Sequence, residues 1–499
     1  MKQSVVIIGG GLGGLFTGAI LSHEGLEVTV VEKNSTLGGG LQSFCRFGQV
    51  YDTGMHVIAG LREGGSIRRI CEYIGVFDKM RLHHMGPEVM DRLYFAEDGE
   101  TYDISMGRDE FVAGLAKKFP HQRDNLRRYI AAIYSLVEGI DLHHLRPSKE
   151  YIALPPDELM IPADKFIGKY ISDSRLRSVV AYMNPLYSGR KNETPAYVHA
   201  IITVLYLNGS SRFVGGSYHF AETLGKTIEE NGGTVIKGDG VACVHSQDRR
   251  VTGITTKKGL HLSADWYVSA IHPCTFLSLL DNPGILSKAY RNRLDSIPNS
   301  YSSFTVYLKL KPNSFRYIPY TGYYMNHYDE IWEFGAHNAK WPMGFLYMTP
   351  PEENQGEYSS KMIIVSPMQW RMVKQWENTA LGRRTSEYTQ WKAECAQLLI
   401  DDLSKLYPNL RECIEDINTA SPLTIRDWYG VKEGAMCGYS KDINNLAFSQ
   451  VPVVTKIPNL LFTGQNCDLH GFCGVPLTAI NTCEAILGQN HILNKLNNV

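Results

Sequence analysis

The stretch that decides the fold is residues 4–44, SVVIIGGGLGGLFTGAILSHEGLEVTVVEKNSTLGGGLQSF. Val5-Val6-Ile7-Ile8 is an unbroken apolar run, the pattern of a parallel strand buried on both faces. It leads into Gly9-x-Gly11-x-x-Gly14, then a helix-compatible stretch from Leu15 to His23, then a second strand from Glu27 to Val31 that ends at Glu32. Strand, glycine turn, helix, strand and acid in this order form a complete βαβ dinucleotide fingerprint. Gly9 permits the tight turn, Gly11 lets the backbone approach a pyrophosphate, and Gly14 lets the helix pack close to the sheet. The helix start, with Leu12 and Gly13, offers free N–H groups and the positive dipole end to phosphates. Glu32, followed by Lys33, is placed to accept hydrogen bonds from ribose hydroxyls, and its charge disfavours a 2′-phosphate. The alternative is a glycine turn with no ligand, and the fingerprint alone does not separate FAD from NAD.

Beyond Glu32 the chain runs five residues to Gly38-Gly39-Gly40-Leu41-Gln42-Ser43, and then to Asp52-Thr53-Gly54-Met55-His56. This resembles the extended FAD signature of amine oxidases, protoporphyrinogen oxidases, phytoene desaturases, carotene isomerases and retinol saturases. Those families carry Glu, five residues, Gly-Gly-Arg, two residues, then Ser or Thr. The chain matches at Glu32, Gly38, Gly39 and Ser43 and departs at Gly40, which removes a cation that could help to hold the cofactor.

The Asp52–His56 block resembles the carotene isomerase and retinol saturase branch in particular, as do two later segments. One is Pro422–Gly430 continuing to Gly434–Gly438, and the other is Thr463–Pro476, with Gly464, Gln465, Gly474 and Val475. In that branch the latter closes over the ribityl chain and the flavin ring. Gly215-Gly216 before a helical stretch (Tyr218 to Asn231) and a Val-rich strand resembles the second flavin-contacting segment, which implies a cofactor contact at Val241. Regions 81–205 and 290–420 match only in kind.

The resemblance implies an α/β fold: a Rossmann-like FAD-binding domain with an inserted mixed α+β substrate domain. The FAD domain is expected to be discontinuous, from 1–80, 206–290 and 445–499, and the substrate domain from 81–205 and 291–444. A length of 499 residues exceeds what one core usually supports, consistent with two intertwined domains. The FAD domain is expected to take strands from Gly233–Ile236, Val251–Thr255, Trp266–Ala270 and Leu460–Gly464, and a final helix from Thr478 to Leu487. Tyr301–Leu310 and Met362–Pro367 read as strands of a sheet roofing the flavin.

The implied chemistry is that of an FAD-dependent oxidoreductase that desaturates, saturates or isomerises carbon–carbon bonds. Its substrate would be a hydrophobic isoprenoid, carotenoid, retinoid-like or other polyene lipid, with hydride passed to or from the flavin. Two alternatives stay open: an amine-oxidase- or protoporphyrinogen-oxidase-like enzyme, and a flavoprotein that holds FAD for structure. Candidate acid–base groups are His56, Tyr429 and His470, with Tyr439 and Asp468 beside them; each could equally satisfy backbone groups. The implied cofactor contacts are Gly9, Gly11, Leu12, Gly13, Gly14, Glu32, Lys33, Gly39, Gly40, Leu41, Ser43, Gly54, Met55, His56, Val241, Gly464, Gln465, Gly474 and Val475. NAD(P)H or another electron partner would complete the redox cycle, although no second GxGxxG unit follows a strand.

A net charge of −1 argues against nucleic acid as a partner. Ten cysteines without a CxxC pair read as reduced core thiols, with no metal site expected, and point to a reducing, cytoplasmic setting. The apolar N-terminus is too rich in glycine and too closely followed by a strand to read as a signal peptide. No apolar run reaches the roughly 18–20 residues of a membrane span. Apolar residues at Leu126, Tyr129, Ile130, Ile133, Val137 and Ile140 mark one helix face, interleaved with Arg127 and Arg128. Such a helix either lies on a membrane surface and admits a lipid, or packs on its own domain with a solvated basic face. The run Tyr197–Leu207 either lines a hydrophobic tunnel or is an ordinary buried helix. Tyr388, Trp391, Cys395, Leu398, Leu399 and Leu406 read as a core stripe.

Overall fold

The computed structural model describes residues 2–147, 160–337 and 340–498. Its first layer is a five-stranded parallel sheet in the order Thr234–Lys237, Glu27–Glu32, Ser4–Ile8, Trp266–Ser269, Leu460–Phe462. Alternation explains why the first strand is apolar throughout. Val5 and Ile7 join one core with Leu15, Phe16, Phe220 and Ile480, while Val6 and Ile8 join another with Val244, Phe276 and Phe462. A strand covered on both faces has no solvent side to mark with polar residues.

Helices Leu12–His23, Tyr218–Glu230 and Gly471–Leu487 supply the first of these cores. The fingerprint helix starts at Leu12, three residues before the expected Leu15, because Gly13 and Gly14 are needed there for close approach despite their poor helix propensity. The C-terminal helix is also longer than expected, with Pro476 in its first turns, and His491–Asn497 follows it as a further helix. The expected strand Val251–Thr255, which spans Arg250–Thr256, does not enter the parallel sheet. It pairs antiparallel with Val241–Gln247 and His261–Leu262, in a small sheet that covers the opposite face.

The second layer is a seven-stranded sheet in the order Ile414–Ala420, Ser302–Leu310, Lys361–Met368, Gly344–Met348, Thr321–Met325, Asp91–Phe95, Glu100–Ile104. Its pairs are antiparallel apart from Thr321–Met325 with Asp91–Phe95. Phe304, Val306 and Leu308 face a core shared with helix Ser386–Leu406, whereas Ser303 and Thr305 face the cavity between the layers. Leu398, expected in the stripe of that helix, is instead 48% exposed.

A helical cluster closes the side. Helix Arg123–Glu138 buries Leu126, Tyr129, Ile130, Ile133 and Val137 against the surrounding core, so its apolar stripe is not available to a membrane. Helix Ala196–Leu207 is buried along its whole length, so position 206, expected as a domain boundary, falls inside it. His199 sits between Tyr129 (2.6 Å) and Tyr187 (3.0 Å), which meets both ring nitrogens in an otherwise apolar setting. No helix among the described residues is long and apolar enough to cross a membrane.

Candidate active site

One cavity of about 560 Å³ runs between the two layers. At one end lie Gly9, Gly11, Leu12, Gly13, Glu32, Lys33 and Val241; in the middle Gly39, Gly40, Gly54, Met55, Gly464, Gln465 and Val475. At the other end Ile202, Tyr206, Tyr323, Phe345, Leu346 and Met348 make an apolar wall. Thus segments from five separate parts of the chain meet around one space.

The three fingerprint glycines have distinct reasons to lack a side chain. Gly9 holds a φ of +107°, and a Cβ there would also lie 2.8 Å from Ile271. A Cβ on Gly14 would come within 2.0 Å of the Gly9 carbonyl oxygen, so this position locks helix to turn. A Cβ on Gly11 would meet nothing nearer than 3.9 Å and would occupy the cavity itself. Gly11 therefore keeps space free for a ligand and is not required by packing. The helix it begins has no side-chain cap, which leaves N–H donors facing that space.

Glu32 is buried at the end of its strand. Its carboxylate accepts N–H bonds from Gly10 (2.7 Å) and Asn34 (2.8 Å), and burial nonetheless raises its pKa above the ordinary value. One lone pair on each oxygen thus ties the glycine turn to the strand end, leaving the others for a ribose. Lys33 lies beside it and donates to the Asp427 carbonyl at 3.0 Å, bringing the Pro422–Tyr429 helix to the mouth of the cavity. Gly40, where the family signature has Arg, contributes only backbone to the wall.

His56, Tyr429 and His470 all line the cavity. Burial pushes His56 down to about 4, so the ring is neutral at pH 7, and its Nδ1 has no partner among the described residues. The Tyr429 hydroxyl donates to Thr53 Oγ1 at 2.8 Å and is raised by burial to about 12. Gly54 makes this approach possible, since a Cβ there would lie 2.8 Å from that hydroxyl. His470 Nε2 donates to the Leu186 carbonyl at 3.1 Å, and burial holds this ring also at about 4.

Four expected cofactor contacts are not in the cavity wall, and each has a supporting role instead. Gly14 packs helix on turn, as above. The Leu41 carbonyl accepts from Ser217, Ser43 Oγ donates to Asp52 at 2.6 Å, and a Cβ on Gly474 would strike Leu469. Tyr439 is likewise out of the wall, since its hydroxyl is buried against the Leu294 carbonyl; Asp468 is also absent from it. Ile202 and Tyr206, from the run Tyr197–Leu207 expected either to line a tunnel or to be a buried helix, reach the cavity from a buried helix, whereas Leu346 and Met348 lie outside every segment the sequence marked. Strand periodicity in Gly344–Met348 marks alternating faces, but which face meets a ligand is set by the partner layer.

These residues fit FAD: backbone N–H donors at an open glycine, a buried acid for the ribose, and a continuous space on toward an apolar chamber. The NAD(P)-binding Rossmann-like domain family matches residues 7–74. Among solved structures, an oxidoreductase from Methanosarcina mazei superposes with a TM-score of 0.65 at 18% identity, covering 96% of this chain and all of the other. A putrescine oxidase superposes with a TM-score of 0.65 at 13% identity, covering 98% and 99% of the two chains. The fold is shared with these oxidoreductases, and the residues of the cradle fit FAD.

The curated relatives narrow the likeness. The chain is 24% identical to the all-trans-retinol 13,14-reductase of Macaca fascicularis, over 98% of this chain and 86% of that protein. It is 26% identical to the 4,4′-diaponeurosporene oxygenase of Staphylococcus aureus, over 54% and 56% of the two chains. The likeness to the retinol reductase therefore extends along nearly the whole chain, beyond the three motifs.

Proposed function

We propose that the chain moves a hydride between FAD and a carbon–carbon bond of a long apolar polyene or isoprenoid lipid, desaturating, saturating or isomerising it. The observation that carries this reading is the single cavity joining the glycine turn to a wall of Ile202, Tyr206, Tyr323, Phe345, Leu346 and Met348. When bound, FAD supplies the hydride acceptor or donor. The apolar wall binds and orients the substrate and excludes water from it. His56, whose neutral ring lines the cavity, holds or takes the accompanying proton. Tyr429 keeps its own proton and positions Thr53 and the His56 loop, while His470 positions Leu186.

An amine-oxidase reading has less support. Among the described residues the cavity wall holds one carboxylate, Glu32, at the opposite end from the apolar wall. A cationic amine entering the apolar end would leave its water without a counter-ion. The reading also takes in a cytoplasmic setting, peripheral membrane contact for loading, and NAD(P)H as electron source. Vesicle sedimentation and flavin bleaching by NADPH are the checks on the last two.

The test is incubation of the flavin-loaded protein with all-trans-retinol and a linear carotenoid, with the flavin either oxidised or photoreduced. Product gaining or losing two hydrogens, or a new geometric isomer, supports the reading. Oxidation of putrescine or cyclohexylamine with the polyenes untouched moves the assignment to the amine class.

A further inference from the structure

On the small antiparallel sheet, outside the cavity wall, Cys243 and His245 stand two residues apart on strand Val241–Gln247. Asp281 approaches them from the segment after helix Pro273–Leu277. Cys243 Sγ lies 3.7 Å from His245 Nδ1, and that nitrogen lies 3.2 Å from Asp281 Oδ2. The three ligand atoms fall within 4.8 Å of one another.

We propose that Cys243, His245 and Asp281 form a divalent metal site selective for Zn²⁺ or a similar borderline ion. Tetrahedral Zn²⁺ with ordinary bond lengths to sulfur, nitrogen and oxygen places S and N about 3.6 Å apart and N and O about 3.3 Å apart. The observed S–N and N–O spacings are within about 0.1 Å of both, and the sulfur and carboxylate oxygen, within 4.8 Å of each other, would close to about 3.6 Å around the ion. The donors also match the ion: one thiolate, one imidazole and one carboxylate, with a fourth position open to water.

The surroundings orient these donors as metal sites require. His245 Nε2 is held by Thr255 Oγ1 at 2.6 Å, which turns Nδ1 toward Cys243 and Asp281. His261 Nδ1 contacts the same hydroxyl at 2.9 Å. Asp281 Oδ1 accepts from Ser246 Oγ at 3.1 Å, leaving Oδ2 directed at the histidine. Binding would convert the Cys243 thiol to a thiolate, with its proton released to solvent. The sequence pattern hid this site because the third ligand lies 36 residues beyond the second.

The ion would clamp two segments that already share backbone bonds: Val244 N–H to Leu279 O at 2.7 Å and Asp281 N–H to Val244 O at 3.1 Å. Val241 and Leu279, in these same segments, line the cofactor end of the cavity. The site is thus a brace outside the dinucleotide cradle and does not depend on the substrate assigned above.

The experiment is equilibrium dialysis of the chelator-stripped, flavin-loaded protein against Zn²⁺, with metal content read by mass spectrometry. One Zn²⁺ per chain is expected, with at least tenfold weaker uptake in Cys243→Ser and His245→Ala. Thr255→Val should weaken uptake about tenfold or more, the effect expected of a lost orienting partner. Co²⁺ loading should add a thiolate-to-metal absorption band in the difference spectrum, absent from Cys243→Ser. Cys45→Ser, at the exposed cysteine elsewhere, is expected to bind like the parent. Flavin content serves as the folding check for each variant. No saturable uptake, or uptake unchanged in both ligand variants while flavin is retained, overturns the site.

Discussion

The cofactor cradle and the roof wall the same cavity, yet the cradle is shaped by backbone and the roof by side chains. In the cradle, Gly9, Gly11 and Gly14 lie within six residues, and each has a steric reason visible at short range. In the roof, the cavity face is assembled from strands Ser302–Leu310, Thr321–Met325, Gly344–Met348 and Lys361–Met368 together with helix Ala196–Leu207, which lies about a hundred residues earlier in the chain. No short segment of the roof carries the function. The comparison teaches that a dinucleotide site needs local geometry, whereas an apolar substrate chamber needs only that distant faces be apolar and correctly spaced.

The comparison can be broken most severely at Gly14. Gly14→Ala puts a Cβ 2.0 Å from the Gly9 carbonyl oxygen, backbone against backbone. A loss of about 3 kcal/mol or more is expected, read as a fall in chemical-denaturation midpoint or in soluble yield. Near-normal stability would show that the turn can relax, and the cradle would then be less locally determined than argued.

Gly11→Leu separates binding from folding. Its side chain enters the open cradle and meets no protein atom within 3.9 Å at Cβ, so circular dichroism should stay native while the flavin absorption bands disappear. Retained flavin would remove Gly11 from the phosphate site. Glu32→Ala should weaken FAD binding by about 1–3 kcal/mol, through lost ribose hydrogen bonds and through release of the Gly10 and Asn34 amides. Unchanged affinity by flavin titration would show that the acid serves the turn alone.

On the roof side the effect should be smaller and confined to substrate. Leu346→Trp fills the apolar end of the cavity, so flavin content should hold while kcat/KM for a polyene falls about tenfold, or about 1.4 kcal/mol. Loss of flavin in that variant would mean that cradle and roof are not separable.

Acid sharpens the comparison least but tests both regions together. Burial holds His56, His143, His199, His272 and His470 at about 4. In the unfolded chain these rings titrate near 6.5. Between about pH 6.5 and 4 the unfolded state therefore binds more protons, and stability falls as pH falls through that window. Asp91, raised by burial to about 6, opposes the trend, as do Glu32, Glu330, Asp468 and Glu484, also raised by burial, whereas Glu24, lowered to about 2, reinforces it. The melting temperature should drop steadily from pH 7 to 4.5; a flat profile would contradict neutral burial of the histidines.

The parallel strands were legible because burial on both faces leaves an unbroken apolar run, as at Val5–Ile8, and because the turn after it has few sequences that fit. Strand Arg250–Thr256 was legible as a strand but not in its sheet, since β-branched runs do not record their pairing partner. The stripe of helix Arg123–Glu138 was legible as amphipathic, but only packing against the helical cluster decided between membrane and core.

By itself the sequence determined the dinucleotide cradle and the acid beside it, because these rest on the sterics of a few consecutive residues, while FAD rather than NAD was implied by the resemblance of later motifs to known flavoprotein families. Only the tertiary structure decided which of His56, Tyr429, Tyr439, Asp468 and His470 reach the cavity, and that Cys243, His245 and Asp281 meet. Those outcomes depend on contacts between segments tens to hundreds of residues apart, where side-chain direction is set by packing and leaves no periodic trace in the chain.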